Sequence, residues 1–182
     1  MLKTENTLLL VVDFQERMMP VIHDSEALLE RSAKFIKGCK LLGVTTLVTQ
    51  QYTKGLGSTV PQISEALGEF EPFEKVAFSC YMDDGIKEKI DNHRKAGKSH
   101  ILVTGVEAHI CVQQTVLNLL DADYNVYLIA DCTGSRKTSD FDYARRRMAQ
   151  AGAVVTTLES ALFEMMLTAE HPGRKEISAL VK

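Results

Sequence analysis

Three side chains interrupt runs that are otherwise suited to burial. Asp13 closes Leu8-Leu9-Leu10-Val11-Val12, Lys75 lies inside Phe73-Glu74-Lys75-Val76-Ala77-Phe78, and Cys111 opens the helical pattern from Cys111 to Ala122. Each type has a chemical use. A carboxylate at a strand end can accept or return a proton. A cysteine near a helix N-terminus is favoured as thiolate by the free N–H groups and the macrodipole, and those N–H groups can also receive an oxyanion. A buried lysine needs a partner or a task, and beside a thiolate and a carboxylate it can hold the ionised pair together. Plainer readings stand beside these. Asp13 can be a helix N-cap or a loop hydrogen-bond acceptor, Cys111 a small buried hydrophobe, and Lys75 a surface residue paired with Glu74 or Glu71.

Such residues need elements to position them. Short β-branched runs at Thr7 to Val12, Val44 to Thr49, His100 to Thr104, Val126 to Ala130 and Ala153 to Thr157 read as buried strands, with Phe73 to Ala77 as a weaker sixth. Helical periodicity fills Ser25 to Leu42, Asp83 to Ala96, Cys111 to Ala122 and Asp140 to Ala151. Ser25 and Asp140 are suited to cap helices, and Gly43 and Gly152 to end them. Strands apolar on both faces and separated by helix-length crossovers imply a parallel sheet covered on both sides, a doubly wound α/β sandwich. Ligands of such sheets bind beyond the carboxyl ends of the strands, where Asp13 stands. The stretch Gln51 to Pro61 reads as a loop over that crevice. The spacing of Ile177, Leu180 and Val181 suits a docked terminal helix or a subunit contact.

Composition narrows the function classes. At 182 residues, 45% apolar and 25% charged, the chain suits one domain spanning residues 1–182 with one sizeable core. A net charge of -3 gives no excess positive field, so neither nucleic acid nor a membrane is expected as a partner. Cys39, Cys80, Cys111 and Cys132 are far apart and read as free thiols in a reducing compartment. Asp13 interrupts the first apolar stretch too early for a signal core, so the cytoplasm is the default location. His23, His93, His100, His109 and His171 lack ligand spacing, so no metal is expected, nor any other cofactor. No Gly-x-Gly-x-x-Gly follows the first strand, against a dinucleotide fold. Arg136, Lys137, Arg145, Arg146 and Arg147 suit a solvated helix face or subunit contact better than an anion site. Leu162, Phe163, Met165, Met166 and Leu167 exceed the need of one short surface helix, and homo-oligomerisation is expected from them.

The order Asp13, Lys75, Cys111 at the ends of the first, third and fourth strands resembles the triad of the isochorismatase-like cysteine hydrolases. Gly105-Val106-Glu107-Ala108-His109-Ile110-Cys111-Val112 carries most of the likeness. Val11-Val12-Asp13-Phe14-Gln15, Thr49-Gln50-Gln51-Tyr52-Thr53-Lys54-Gly55-Leu56-Gly57 and Leu128-Ile129-Ala130-Asp131-Cys132 support it. The likeness spans nearly the whole chain and is nearest to the compact, substrate-unassigned branch. It implies an α-β-α sandwich with a six-stranded parallel sheet in the order 3-2-1-4-5-6. It also implies a non-proline cis bond between Val106 and Glu107, with the N–H groups of Glu107 and Cys111 aimed at one oxyanion.

The resemblance further implies Asp13 as proton acceptor assisted by Lys75, and Cys111 as nucleophile. The substrate would be a small molecule attacked at a carbonyl, its C–N bond broken through a thioester. Isochorismate-type ether hydrolysis does not need the cysteine, so Cys111 favours amide-like substrates. Nicotinamidase-type relatives carry metal ligands where this chain has Thr49-Gln50-Gln51-Tyr52. Phe14, Tyr52 and Phe78 adjoin the catalytic strand ends and suit the walls of a pocket for a small planar substrate, with core packing as their alternative. His109 is the one histidine near that pocket. The rival from another class is a silent family member that serves as an oligomeric scaffold or binding protein.

Overall fold

The computed structural model describes residues 1–182. Six strands form one parallel sheet: β1 (Thr7–Val12), β2 (Thr45–Gln51), β3 (Phe73–Lys75), β4 (His100–Val106), β5 (Asn125–Gly134) and β6 (Val154–Thr156). Their spatial order is β3-β2-β1-β4-β5-β6, as the resemblance implies. The chain switches direction of travel between β1 and β4, the place where a parallel sheet opens a crevice.

Alternation along β1 divides the interior into two layers. Leu9 and Val11 join a core with helices α1 (Ser25–Leu41), α3 (Pro61–Leu67), α7 (Leu158–Met166) and α8 (Arg174–Val181). Leu8, Leu10 and Val12 join the opposite core, covered by α4 (Asp84–Lys95), α5 (Gln113–Asp121) and α6 (Thr138–Gln150). Every residue of β1 is buried, which explains its unbroken apolar run.

Several boundaries differ from the sequence reading. Asp24, in the left-handed region at φ 50°, precedes α1, so Ser25 is its first helical residue and no side chain caps it. Helix α6 starts at Thr138, which leaves Asp140 in its first turn, where a carboxylate suits the dipole without capping. The 51–61 stretch holds a single helical turn, α2 (Thr53–Leu56), and Pro61 opens α3 from its first position. Helix α7 accounts for the apolar excess near the C-terminus: Leu162, Met165 and Met166 are buried in the α1-side core, while Phe163 and Leu167 remain exposed. Three of the five are thus core material, and two remain at the surface. Ile177 of α8 is fully buried, so the terminal helix docks on its own chain. No helix is long and apolar enough to cross a membrane.

Candidate active site

The carboxyl ends of β1, β2 and β3 place three polar side chains at one depth. Val12 is in register with Thr49, and Gln51 with Lys75, so Asp13 and Lys75 emerge with β2 between them. Two strand spacings amount to about 9.6 Å, a span that only a long side chain bridges. Lys75 bridges it: its Nζ donates to Asp13 Oδ2 at 2.6 Å, to Gln51 Oε1 at 2.7 Å and to the Phe78 carbonyl at 3.1 Å. Three partners use its three protons. The other carboxylate oxygen of Asp13 accepts from Thr49 Oγ1 at 2.7 Å. Both members of the ion pair have fully buried side chains. Burial opposes the ammonium, but the Asp13 charge and the neighbouring thiols outweigh it, so Lys75 titrates above the ordinary lysine value.

Asp13 adopts φ 53°, a left-handed conformation that aspartate tolerates better than most residues. The turn breaks the strand alternation and sends Phe14 into the core beside Leu9 and Val11.

Cys111 arrives from the far side of β1. The chain leaves β4 through Gly105 and the cis Val106–Glu107 bond, then winds as a π-helical segment, Ala108–Val112, before α5 begins. A side chain at Gly105, at φ 138°, would run into the Val12 carbonyl, so glycine permits β1 and β4 to close together here. The Glu107 N–H donates to no group of the protein, while its carbonyl accepts from Ile110 and Val112. Burial and then the charge of Asp13 push the Cys111 thiol well above the ordinary thiol range, against the opposing pull of the Lys75 ammonium. Desolvation and a like charge thus oppose the thiolate that position near a helix N-terminus favours.

Above this floor opens a cleft of about 310 Å³, small for a ligand pocket. Cys111, Gln51 and Glu107 lie at its polar base. Met18, Val21, Ile22, Leu56, Phe78 and Ile110 form apolar walls, and Arg17 and Arg136, both exposed, complete the lining. Glu107 Oε2 accepts from Arg136 Nε at 2.9 Å and from the Arg136 peptide N–H at 3.2 Å. A second thiol, Cys80, lies buried behind the floor, with its sulfur 3.8 Å from Thr49 Oγ1. Burial and then the Asp13 charge raise its pKa to about 11.

Residues 7–160 match the isochorismatase domain. The chain belongs to the isochorismatase-like hydrolase family. It is 35% identical over 176 residues to isochorismatase domain-containing protein 1 of Salmo salar, an alignment covering 97% of this chain and 61% of that one. It thus spans about three-fifths of the length of that relative. With isochorismatase domain-containing protein 2 of Danio rerio it shares 31% identity over 181 residues, 99% of this chain and 89% of the relative. Among solved structures, the MAR1 ribonuclease from Caenorhabditis elegans superposes with a TM-score of 0.91 at 33% identity, covering 99% of this chain and 91% of its own.

Of the residues expected in such an isochorismatase-like chain, Asp13 and Lys75 pair behind the cleft, near enough for their charges to act on Cys111, and Cys111 and Phe78 line it. Three other residues fall elsewhere. Phe14 is core, as its alternative reading had it. Tyr52 lies half-exposed over Gly55, outside the cleft lining. His109 faces away: its Nδ1 is 3.0 Å from Ser135 Oγ and its Nε2 is 4.0 Å from Asp140, so it ties the π segment to the start of α6. Where nicotinamidase-type relatives hold a metal, the side chains here are engaged with protein: Thr49 with Asp13, Gln50 with Thr59, Gln51 with Lys75. No three His, Cys, Asp or Glu side chains are grouped as metal ligands. Arg17 was not legible as a cleft residue, and Arg136, read above as part of a solvated helix face, instead precedes α6 and lines the cleft. They lie on the loops that follow β1 and β5, and only the β1–β4–β5 neighbourhood brings those loops together.

Proposed function

We propose that this protein hydrolyses the C–N bond of a small amide through a thioester on Cys111. The observation that carries the reading is the fully buried Asp13–Lys75 pair at the foot of the cleft that Cys111 lines. A buried ion pair is a poor device for stability, because desolvation offsets the attraction. A pair kept there suits a proton acceptor that must remain ionised.

Asp13 takes the thiol proton as sulfur attacks the carbonyl carbon, and the charge that develops on oxygen is received by the N–H groups of Glu107 and Cys111. The C–N bond then breaks, and Asp13 delivers the proton to the departing nitrogen. Water attacks the thioester while Asp13 accepts its proton, the C–S bond breaks, and the proton returns to sulfur with release of the acid. A neutral resting thiol suits this cycle, since the proton removed from sulfur is the one the amine needs.

The test is a screen of small primary and secondary amides, reading released ammonia or amine, with Cys111→Ala, Cys111→Ser and Asp13→Asn in parallel. Turnover should fall about 10³-fold or more in each variant, and mass spectrometry of the wild type should find an acyl adduct on Cys111. Full activity in Cys111→Ala would sink the nucleophile and leave ether hydrolysis of the isochorismate type. No turnover of any amide would favour the scaffold. The name of the C. elegans relative points instead to RNA. A net charge of -3 and a cleft of about 310 Å³ weigh against a polyanionic chain as substrate. The same reading includes a homo-oligomer; its support is the exposed apolar group Tyr52, Val76, Phe78 and Met82 near the β3 edge. Light scattering on the eluting protein tests it, and a monomer at all concentrations would refute it.

A further inference from the structure

The cleft holds more positive charge than amide chemistry requires. At its floor the Asp13 carboxylate cancels the Lys75 ammonium at 2.6 Å. At its side Glu107 cancels Arg136 at 2.9 Å. Arg17 has no carboxylate partner: Nη1 donates to the Gly55 carbonyl at 2.8 Å, and its peptide N–H to the Leu56 carbonyl at 3.0 Å. The peptide N–H bond ties the backbone of Arg17 to the 51–61 loop and the Nη1 bond ties its exposed guanidinium there, while no carboxylate pairs with the charge. Its Nε and Nη2, and both terminal nitrogens of Arg136, donate to no protein group. The remaining walls, Met18, Val21, Leu56 and Ile110 among them, are apolar.

We infer that the substrate is an amide bearing a carboxylate at the end remote from the scissile bond, with Arg17 as its principal anchor and Arg136 as a second. This rests on the amide reading above. A planar guanidinium with free paired N–H groups matches a carboxylate bidentately. The apolar wall between it and the base matches a short hydrocarbon body, and the small volume restricts that body to a few carbons. A neutral amide would leave the exposed Arg17 charge answered by solvent alone.

The experiment uses the full-length Cys111→Ser protein, which binds without turnover, and titrates it calorimetrically with glutaramate, pentanamide and adenosine monophosphate. Glutaramate should bind about tenfold or more tightly than pentanamide, the affinity equivalent of one charge-assisted hydrogen bond. Adding Arg17→Met should reduce the ratio to about twofold or less, and Arg17→Lys should retain part of it. Higher salt should narrow the ratio. Equal binding of the two amides, or a ratio that survives Arg17→Met combined with Arg136→Gln, overturns the inference. So does tighter binding of the nucleotide, which would assign the guanidinium groups to phosphate. The two readings fail separately. A glutaramate preference in a wild type that hydrolyses no amide retains the carboxylate site and removes the amide chemistry. Equal turnover and equal binding of both amides removes the site and retains the chemistry.

Discussion

Asp13 and Lys75 each answer a charge that nothing else in their surroundings can answer. Removing one partner leaves the other buried and unpaired, which costs about 3 to 5 kcal/mol. Asp13→Asn and Lys75→Met should each destabilise by about that amount in urea unfolding, and the double variant by clearly less than their sum. Strict additivity would mean that the charges are not coupled. A second outcome separates thiol reactivity from catalysis. Because the Asp13 charge helps to hold the Cys111 thiol neutral, Asp13→Asn should speed iodoacetamide labelling of Cys111 at pH 8 while abolishing turnover. Slower labelling would mean that the carboxylate activates the resting sulfur. At this scale the residue types were legible, because a charge or thiol that breaks an apolar run is visible in a string of letters. The ionisation state was not. Desolvation of Cys111 arises from residues distant in sequence, and a helix start read locally gave the opposite sign. Phe14 misled for a related reason: adjacency to Asp13 suggested the pocket, but the positive φ of Asp13 turns the next side chain into the core.

Elements whose burial is two-sided were the most legible. β1 begins and ends where its apolar run does, and the resemblance supplied the strand order. Helix α7 is the instructive failure, because an excess of apolar residues says that a partner surface exists without saying whether it is in the same chain. Here the surface is α1: a Cβ on Gly38 would lie 2.7 Å from Leu162 Cδ1, so the glycine makes the seat that Leu162 occupies. Leu162→Ala should therefore cost about 2 to 5 kcal/mol in equilibrium unfolding and leave the assembly state unchanged. Loss of an oligomer without loss of stability would return α7 to the interface. Gly105 is as demanding at the other end of the sheet. Gly105→Ala sets a side chain against the Val12 carbonyl at a φ that L-residues rarely adopt, so it should cost roughly 3 kcal/mol or more and disturb the floor, with reduced yield and reduced turnover together.

Across the whole molecule, four free thiols are buried, two in each core layer: Cys39 and Cys132 on the α1 side, Cys80 and Cys111 on the other. All four titrate above the ordinary value of 9.0, with burial the leading cause in each. The consequence for stability has a definite sign. Below pH 9 the thiols are protonated in both folded and unfolded chains and contribute no slope. Above it the unfolded chain releases protons that the folded chain retains, so the folded state binds more protons and stability falls as pH rises. Each thiol contributes about 1.4 kcal/mol per pH unit, and four together about 5.5 kcal/mol per unit at most. Lys75 adds in the same direction above about pH 10.5, where an unfolded lysine would lose its proton and the paired one keeps it. Domains of this size are held by about 5 to 15 kcal/mol in all, so unfolding should set in about one to three units above pH 9. Urea melts at pH 7, 8, 9, 10 and about 10.5 should show a flat region followed by a steep decline. Cys39→Ala should lessen that decline by about 1.4 kcal/mol per unit, because the removed thiol lies in the α1-side core, away from the candidate site. A profile that stays level to pH 10.5 would mean that the buried thiols ionise in place, and with them the resting state assigned to Cys111 would have to be revised.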